Sequence, residues 1–381
     1  MELVPRTVTD PADTAELRRA VRAFVEEQRA QLGLRPNIDT WLGQWDEEFS
    51  RALARKGWLG MTAPTEYGGA GRSYGERYAV TEELLAAGAP VAAHWIADRQ
   101  VIPALLKYGS DDQRRHWIPR IVAGGCFFGI GMSEPDSGSD LASVRTKATR
   151  AGCGWVINGT KVWTSGAHHA DAFICLTRTS PPDPADRHAG LSQFIVELDT
   201  PGIQVRPIVT MTGQHHFNEV VLEDVAVPES ALLGTAGNGW TQVTSELSFE
   251  RSGPERFLST FALFCAVHEA MSRGKVAPDK RIGQFAARIS ALHHISSAIA
   301  TSLESGHQVD VPAALVKVLG TTMEGDIAEW VDLTLGSSTA AGGEEVQRLL
   351  LDALAARPGF TLRGGTNEVL KGVIARGQGL R

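Results

Sequence analysis

Cysteine is scarce in this 381-residue sequence, and the four present (Cys126, Cys153, Cys175 and Cys265) stand far apart. Without a Cys-x-x-Cys pair there is neither a zinc knuckle nor a secreted disulfide framework, and the expected setting is reduced and cytoplasmic. Long apolar runs are also missing. The two longest, 84–93 and 257–267, are broken by Gly88 and Pro90 or by Ser259 and Thr260, short of the ~20 residues that cross a bilayer. The first residues lack a basic stretch followed by an apolar one, so no signal peptide is expected. Nor is there a basic excess. Thirty-seven Lys and Arg against 44 Asp and Glu leave a net charge of −7, which argues against nucleic acid held by a general positive field. Internal repeats and low-complexity tracts are absent, strands do not alternate with helices, and no Gly-x-Gly-x-x-Gly follows a strand pattern, which argues against a Rossmann nucleotide fold.

What is present is enough chain for two to three domains, with a core that needs no staple. The hydrophobic period changes twice. Over 1–125 it is helical: Leu17, Val21, Phe24 and Val25 share one face, and Trp45, Phe49 and Leu53 continue the spacing until Gly57. Ser73-x-x-Glu76 and Ser110-x-x-Gln113 are capping boxes that open further helices. Over 126–235 come short β-rich runs at 155–157, 160–164, 172–177, 191–198, 203–209 and 219–222, with Asn158-Gly159 placed for a hairpin turn. From 236 to 381 the helical period returns. The expected class is α+β: an N-terminal helical domain, a central antiparallel β domain and a C-terminal helical bundle.

Three features carry possible chemistry. Ile130-Gly-Met-Ser-Glu-Pro-Asp-Ser-Gly-Ser-Asp140 follows an apolar strand and gathers hydroxyls and backbone donors into a turn. It suits an anion such as a pyrophosphate, or is a polar interdomain loop. Asn158-Gly-Thr-Lys-Val-Trp-Thr-Ser165 ends a strand with Trp163 beside two hydroxyls, either an edge for a planar heterocycle or a core tryptophan. On the helix after Gly239, Val243, Leu247, Pro254, Phe257 and Phe261 form an apolar stripe in which Glu250 takes one place, with a kink expected at Pro254. A carboxylate there either pairs with Arg251 or Arg256 or works as a base. The histidine pairs 168–169, 215–216 and 293–294 are adjacent residues, poor geometry for chelation, and no metal site is read.

Together these strings resemble the acyl-CoA dehydrogenase family over nearly the whole chain. Pro64-Thr-Glu-Tyr-Gly-Gly69, Ser133-Glu-Pro-Asp-Ser-Gly-Ser-Asp140, Asn158-Gly-x-Lys-x-Trp-x-Ser165, Val225-x-Val-Pro228 with Leu233-Gly234, and Gly365-Thr366-Asn-Glu368 occur in the family's order. The resemblance implies a non-covalent FAD, with Ile130, Met132, Ser133, Trp163, Thr164 and Ser165 along the flavin and Thr366 and Glu368 on another part of it. Ser139 would lie near the phosphates and the CoA arm, and Arg251 near the substrate. The implied reaction removes an α proton and a β hydride from an acyl-CoA to give a trans-2-enoyl-CoA, and electrons leave through an electron-transferring flavoprotein.

Two departures accompany the likeness. The family's usual base precedes Gly-Thr in a Glu-Gly-Thr string, whereas this chain has Arg363-Gly364-Gly365-Thr366. Phe249-Glu250-Arg251 resembles the subgroup whose base stands on the first helix of the C-terminal domain. Glu250 is then the base, and Gly364 a space-making replacement whose N–H still serves the thioester oxygen. The family strings around the adenine half of FAD are altered at Asp279-Lys-Arg-Ile-Gly283 and Leu333-Thr-Leu-Gly-Ser337. The assembly is therefore expected to be either an α2β2 tetramer with a paralogous chain or a homo-oligomer that uses other residues, such as Arg281. A flavin monooxygenase or oxidase, and a non-catalytic subunit, are the competing functions.

Overall fold

The computed structural model describes residues 12–305, 307, 309–336 and 342–380, with the backbone alone for 12, 13 and 247–250. Helices come first: α1 (Ala12–Leu32), α2 (Thr40–Gly43), α3 (Glu47–Arg55), α4 (Tyr74–Ala86), α5 (Ala92–Ile96), α6 (Ile102–Tyr108) and α7 (Asp111–Val122). Strands follow: β1 (Phe128–Gly131), β2 (Lys147–Ala151), β3 (Gly154–Ser165), β4 (Ala172–Arg178), β5 (Leu191–Glu197), β6 (Ile203–Val209), β7 (His215–Pro228) and β8 (Leu232–Leu233). The chain then returns to helices: α8 (Gly239–Ser252), α9 (Phe261–Ser272), α10 (Arg281–Glu304), α11 (Asp310–Leu335), α12 (Glu344–Phe360) and α13 (Asn367–Gly377). Helices, sheet and helices are the expected α+β order.

Both capping boxes form. Ser73 Oγ accepts the Glu76 N–H at 3.1 Å while Glu76 accepts the Ser73 N–H at 2.9 Å. Ser110 and Gln113 repeat the exchange at 3.1 and 3.0 Å, so α4 and α7 begin where orphan N–H groups find side-chain oxygens. The sheet runs β6-β7-β3-β2-β4-β5-β8 and is mainly antiparallel, with β1 added parallel to β4. Trp155, Ile157, Phe173, Phe194 and Val220 pack into one sheet core. Phe128, Ile174 and Ile195 pack with Ile102, Leu105, Trp117 and Ile118 of α6 and α7 into another. This double burial explains why β4 is buried throughout and apolar from Ala172 to Leu176.

Two local expectations are corrected. Asn158-Gly159 makes no hairpin; β3 runs unbroken through it, with a register shift against β7 between Ile157 and Gly159. Asn158 exchanges hydrogen bonds with Asp224 of β7 (2.8 and 3.1 Å), and Gly159 lies so close to the residue before β2 that a Cβ would sit 2.3 Å from Thr146 Oγ1. The dipeptide serves a bulge instead of a turn. Pro254 does not kink a long helix either. α8 stops at Ser252, and Pro254 opens a 3-10 turn, Pro254–Arg256. A proline after Gly253 cannot continue the helical ladder. Phe257 and Phe261 therefore fall outside α8, and the stripe that singled out Glu250 is shorter than the spacing suggested.

The chain gathers into two compact units. One comprises 1–41, 72–90 and 248–381; the other comprises 42–71 and 91–247. In the first, α1 and α4 are tied by Arg18 and Arg22 to Glu82 and Glu83 at 2.6–3.1 Å. The second holds the sheet with α3 and α5–α7.

Candidate active site

In the sheet unit, the hydroxyl-rich turn after β1 is anchored by a buried ion pair. Lys161, fully buried on β3, donates to Glu134 at 2.8 Å and to the Met132 carbonyl at 3.1 Å. Glu134 also accepts the N–H groups of Arg145 (2.7 Å) and Thr146 (2.9 Å). Burial alone would raise its carboxyl, but Lys161 and these donors hold it below its ordinary value. The Ser133 carbonyl accepts the Val162 N–H at 2.9 Å. Two strings 30 residues apart are thereby joined: Met132 and Ser133 lie beside Lys161–Trp163, and Gly129 lies beside Ser165. Ile130, Met132, Ser133 and Ser165 stay half-buried, and Trp163 is 56% exposed with its ring edge-on to Phe217 at 5.5 Å. Trp163 is thus not a core tryptophan. Thr164 is buried, and its hydroxyl has no hydrogen-bond partner among the described residues. Ser139 is exposed on the turn.

One arginine that spacing could not single out supports this turn. Arg178, at the end of β4, donates to the carbonyls of Ala142 (2.7 Å), Ala189 (2.9 Å) and Val144 (3.2 Å), fixing the segment after Ser139. On α8, Glu246 is buried beside Val243 and Gln242 and accepts from Gln193 of β5 at 3.0 Å. It is a second carboxylate one turn before Glu250, overlooked because the apolar stripe passes through Val243.

In the other unit, Glu250 lies on the helical backbone of α8, and its side chain falls outside the described residues. The next residue, Arg251, donates from Nε to the Gly364 carbonyl at 3.1 Å, which sets the end of α8 against the 363–365 turn. Gly364 and Gly365 have φ of 69° and 86°, the left-handed region that favours glycine. The space beside Gly364 is filled. A Cβ there would lie 2.7 Å from Nη2 of Arg256, a buried guanidinium stacked over Trp41 at 5.0 Å. The expectation that Gly364 opens space is corrected: Arg256 takes that volume. Arg363 covers the same Trp41 at 4.7 Å and forms a two-pronged pair with Asp39. Near this pair, burial pushes the Glu324 carboxyl up to about 7. Thr366 caps α13 by accepting the Val369 N–H at 3.3 Å, and Glu368 is exposed in the first turn.

The two altered adenine strings meet. Arg281 pairs with Asp279 at 2.7 Å and reaches Thr334 Oγ1 at 3.4 Å, while Asp279 also accepts from Trp330 Nε1 at 3.1 Å. These donors hold the Asp279 carboxyl well below the usual range. Ser337 lies outside the described residues. Among the described residues no group of three or more His, Cys, Asp or Glu is placed to hold a metal ion, and no helix is long and apolar enough to cross a membrane.

Set against known proteins, the chain matches three family descriptions in order. They are "Acyl-CoA dehydrogenase, N-terminal domain" over residues 11–125, "middle domain" over 129–225 and "C-terminal domain" over 274–379. It belongs to the acyl-CoA dehydrogenase family. Acyl-CoA dehydrogenase FadE26 of Mycobacterium tuberculosis is 32% identical over 382 residues, 94% of each chain. Acyl-CoA dehydrogenase FadE34 of the same organism is 33% identical over 356 residues, but this chain spans only 48% of its length. Among solved structures, the "Tcur3481-Tcur3483 steroid ACAD" superposes with a TM-score of 0.84 at 29% identity, over 100% of both chains. The ChsE4-ChsE5 complex from Mycobacterium tuberculosis superposes at 0.82 with 30% identity, over 99% of this chain and 100% of that one. The acyl-CoA dehydrogenase family is one of flavoprotein oxidoreductases that bind FAD. In this acyl-CoA dehydrogenase, the exposed indole of Trp163 beside the half-buried Ser133 and Ser165 fits a planar, hydrogen-bonding ring system.

Proposed function

We propose that this acyl-CoA dehydrogenase is a cytoplasmic, FAD-dependent enzyme that desaturates a bulky, ring-bearing acyl-CoA between its α and β carbons. The observation that carries the flavin reading is the convergence of Ser133, Trp163 and Ser165, two hydroxyls around an indole that the fold leaves exposed. Ile130, Met132 and Thr164 line the same strand ends, with Ser139 towards the phosphates and CoA arm and Thr366 and Glu368 at another part of the cofactor. FAD, when bound, supplies the acceptor for the β hydride. Glu250 takes the α proton onto its carboxylate as that hydride leaves, so the substrate loses two hydrogens and gains the trans double bond. The Gly364 N–H donates to the thioester oxygen and stabilises the developing enolate. Arg251 supports both roles: its hold on the Gly364 carbonyl keeps the turn beside the helix that carries Glu250.

The bulky acyl group is supported by the likeness to the steroid dehydrogenase, since the space at Gly364 is taken by Arg256. An α2β2 assembly with a paralogous chain, delivering electrons to an electron-transferring flavoprotein, is favoured by the tie between Arg281 and Asp279. That tie commits the guanidinium nearest the altered adenine strings. The ChsE4-ChsE5 complex, with two named components, gives a precedent for such pairing.

Glu250→Gln tests the base. Losing general-base catalysis costs roughly 10²–10⁴-fold in rate. The variant, prepared with whatever chain it assembles with, should retain flavin and lose its reduction by acyl-CoA in stopped-flow absorbance. Reduction at the parent rate would move the base elsewhere.

A further inference from the structure

The pairing of β3 with β7 loses register between Lys161 and Thr164, and at that irregularity Trp163 has φ of 62°. Bulky residues rarely adopt this left-handed conformation, and where they do the surroundings must enforce it. The next peptide shows what does so here. The Thr164 carbonyl accepts from Nδ2 of Asn218, a fully buried residue on β7, at 3.0 Å. The same nitrogen lies 3.0 Å from His168 Nδ1, and Asn218 Oδ1 lies 2.9 Å from His215 Nε2.

The Thr164 carbonyl must receive a hydrogen, so the amide cannot be turned over. Its two hydrogens then serve Thr164 and His168, and its oxygen takes the Nε2 hydrogen of His215. His168 must present a lone pair at Nδ1. The rings of His168 and His215 stack at 4.0 Å, His169 lies 4.0 Å from His168, and His169 stacks on Trp45 at 5.1 Å. The row continues into the turn after β3: a Cβ at Gly166 would meet the Trp45 ring at 2.5 Å. The histidines, poor chelators as neighbours in sequence, thus meet between the turn after β3 and the start of β7.

We propose that Asn218, locked between His168 and His215, is the positioning residue that holds the Trp163–Ser165 strand end in its strained, indole-presenting conformation. This rests on the reading of Trp163 as a flavin wall. Asn218 touches neither substrate nor cofactor; it acts through the Thr164 carbonyl.

The full chain carrying Asn218→Ala, prepared with whatever chain it assembles with, provides the test. Without FAD, amide hydrogen exchange over residues 162–166 should quicken at least tenfold while the rest of β3 and β7 exchanges as in the parent. Fluorescence titration with FAD should show affinity reduced about tenfold by Trp163→Ala and similarly by Asn218→Ala. Combining the two should lower it less than twofold further, because both act through one indole. Should Asn218→Ala fail to fold, Asn218→Asp keeps the size and the acceptor for His215 but turns an acceptor towards the Thr164 carbonyl, and the same results are expected. Unchanged exchange over 162–166, or fully multiplicative losses of affinity, would overturn the proposal. If Trp163→Ala binds FAD as the parent does, the flavin wall falls instead, while exchange still judges the hold of Asn218 on the strand.

Discussion

Replacing Gly364 by alanine tests whether Arg256 fills the space beside the turn. The added Cβ would lie 2.7 Å from Nη2, 3.0 Å from Cζ and 3.2 Å from Nη1 of a guanidinium that is 1% exposed. Forcing that buried group aside costs about 1–3 kcal/mol, the usual range for overpacking. The φ of 69° adds about 1–2 kcal/mol for any L residue. The sum is a loss of roughly 2–5 kcal/mol. Gly365→Ala is the internal control. Its φ is 86°, but the nearest contact is Arg251 Nη2 at 3.2 Å on a half-buried side chain that can yield, so only the conformational cost of about 1–2 kcal/mol should remain. Urea unfolding of both variants gives the comparison. Arg256→Lys supplies the second arm: it shortens the side chain, so the double variant Gly364→Ala/Arg256→Lys should be more stable than the sum of the singles by over 1 kcal/mol. Equal losses at 364 and 365, or strict additivity with Arg256→Lys, would refute the steric account.

Glu324 makes stability depend on pH. Burial lifts its folded value to about 7, against about 4.3 unfolded, so the native state keeps a proton that the unfolded chain releases. Stability should fall as pH rises from about 4.3 to 7 and stay reduced above. Glu324→Gln can still accept the Ser259 N–H, now at 2.7 Å, and should exceed the parent by roughly 3–4 kcal/mol at pH 8 with little difference at pH 4; the same difference at both pH values in urea would count against it. Lys161→Met strands the Glu134 carboxylate in the sheet unit and should cost about 3–5 kcal/mol, much of it recovered by adding Glu134→Gln. A denaturation midpoint that adding Glu134→Gln fails to raise would show that the pair is not what holds the turn.

Local chemistry was readable from the sequence wherever it ended on neighbouring residues. Ser73 with Glu76 and Ser110 with Gln113 cap their helices because every atom involved lies within four residues. Asn158-Gly159 shows the limit: the dipeptide suits a hairpin, but pairing with Asp224 and the closeness of Thr146, both outside its own strand, draw it into a bulge. Similarly, period alone carried the stripe past Pro254, although the Gly253-Pro254 pair was a stop signal in plain view. Ser133 and Trp163 were legible as separate strings; their meeting depends on the buried Lys161–Glu134 pair. Asn218 could not be found by spacing, and spacing marked Arg256 only as a partner for Glu250, because each acts on carbonyls or space contributed by segments far along the chain.

The discontinuity of the first unit has a consequence in time. Asp39 is joined to Arg363, 324 residues later, and Pro36 to Arg348, 312 residues later. At a synthesis rate of about 5–20 residues per second, the segment between α1 and α2 waits roughly fifteen seconds to a minute before those partners exist. The sheet unit is already whole once residue 247 has been made. A growing chain therefore carries a finished unit and an unfinished one together, with Asp39 and the Pro36 carbonyl lacking their late partners until α12 and the turn after it are made. The ribosome thus imposes on this protein an order of assembly that refolding from denaturant does not, and the two routes begin from different exposed surfaces.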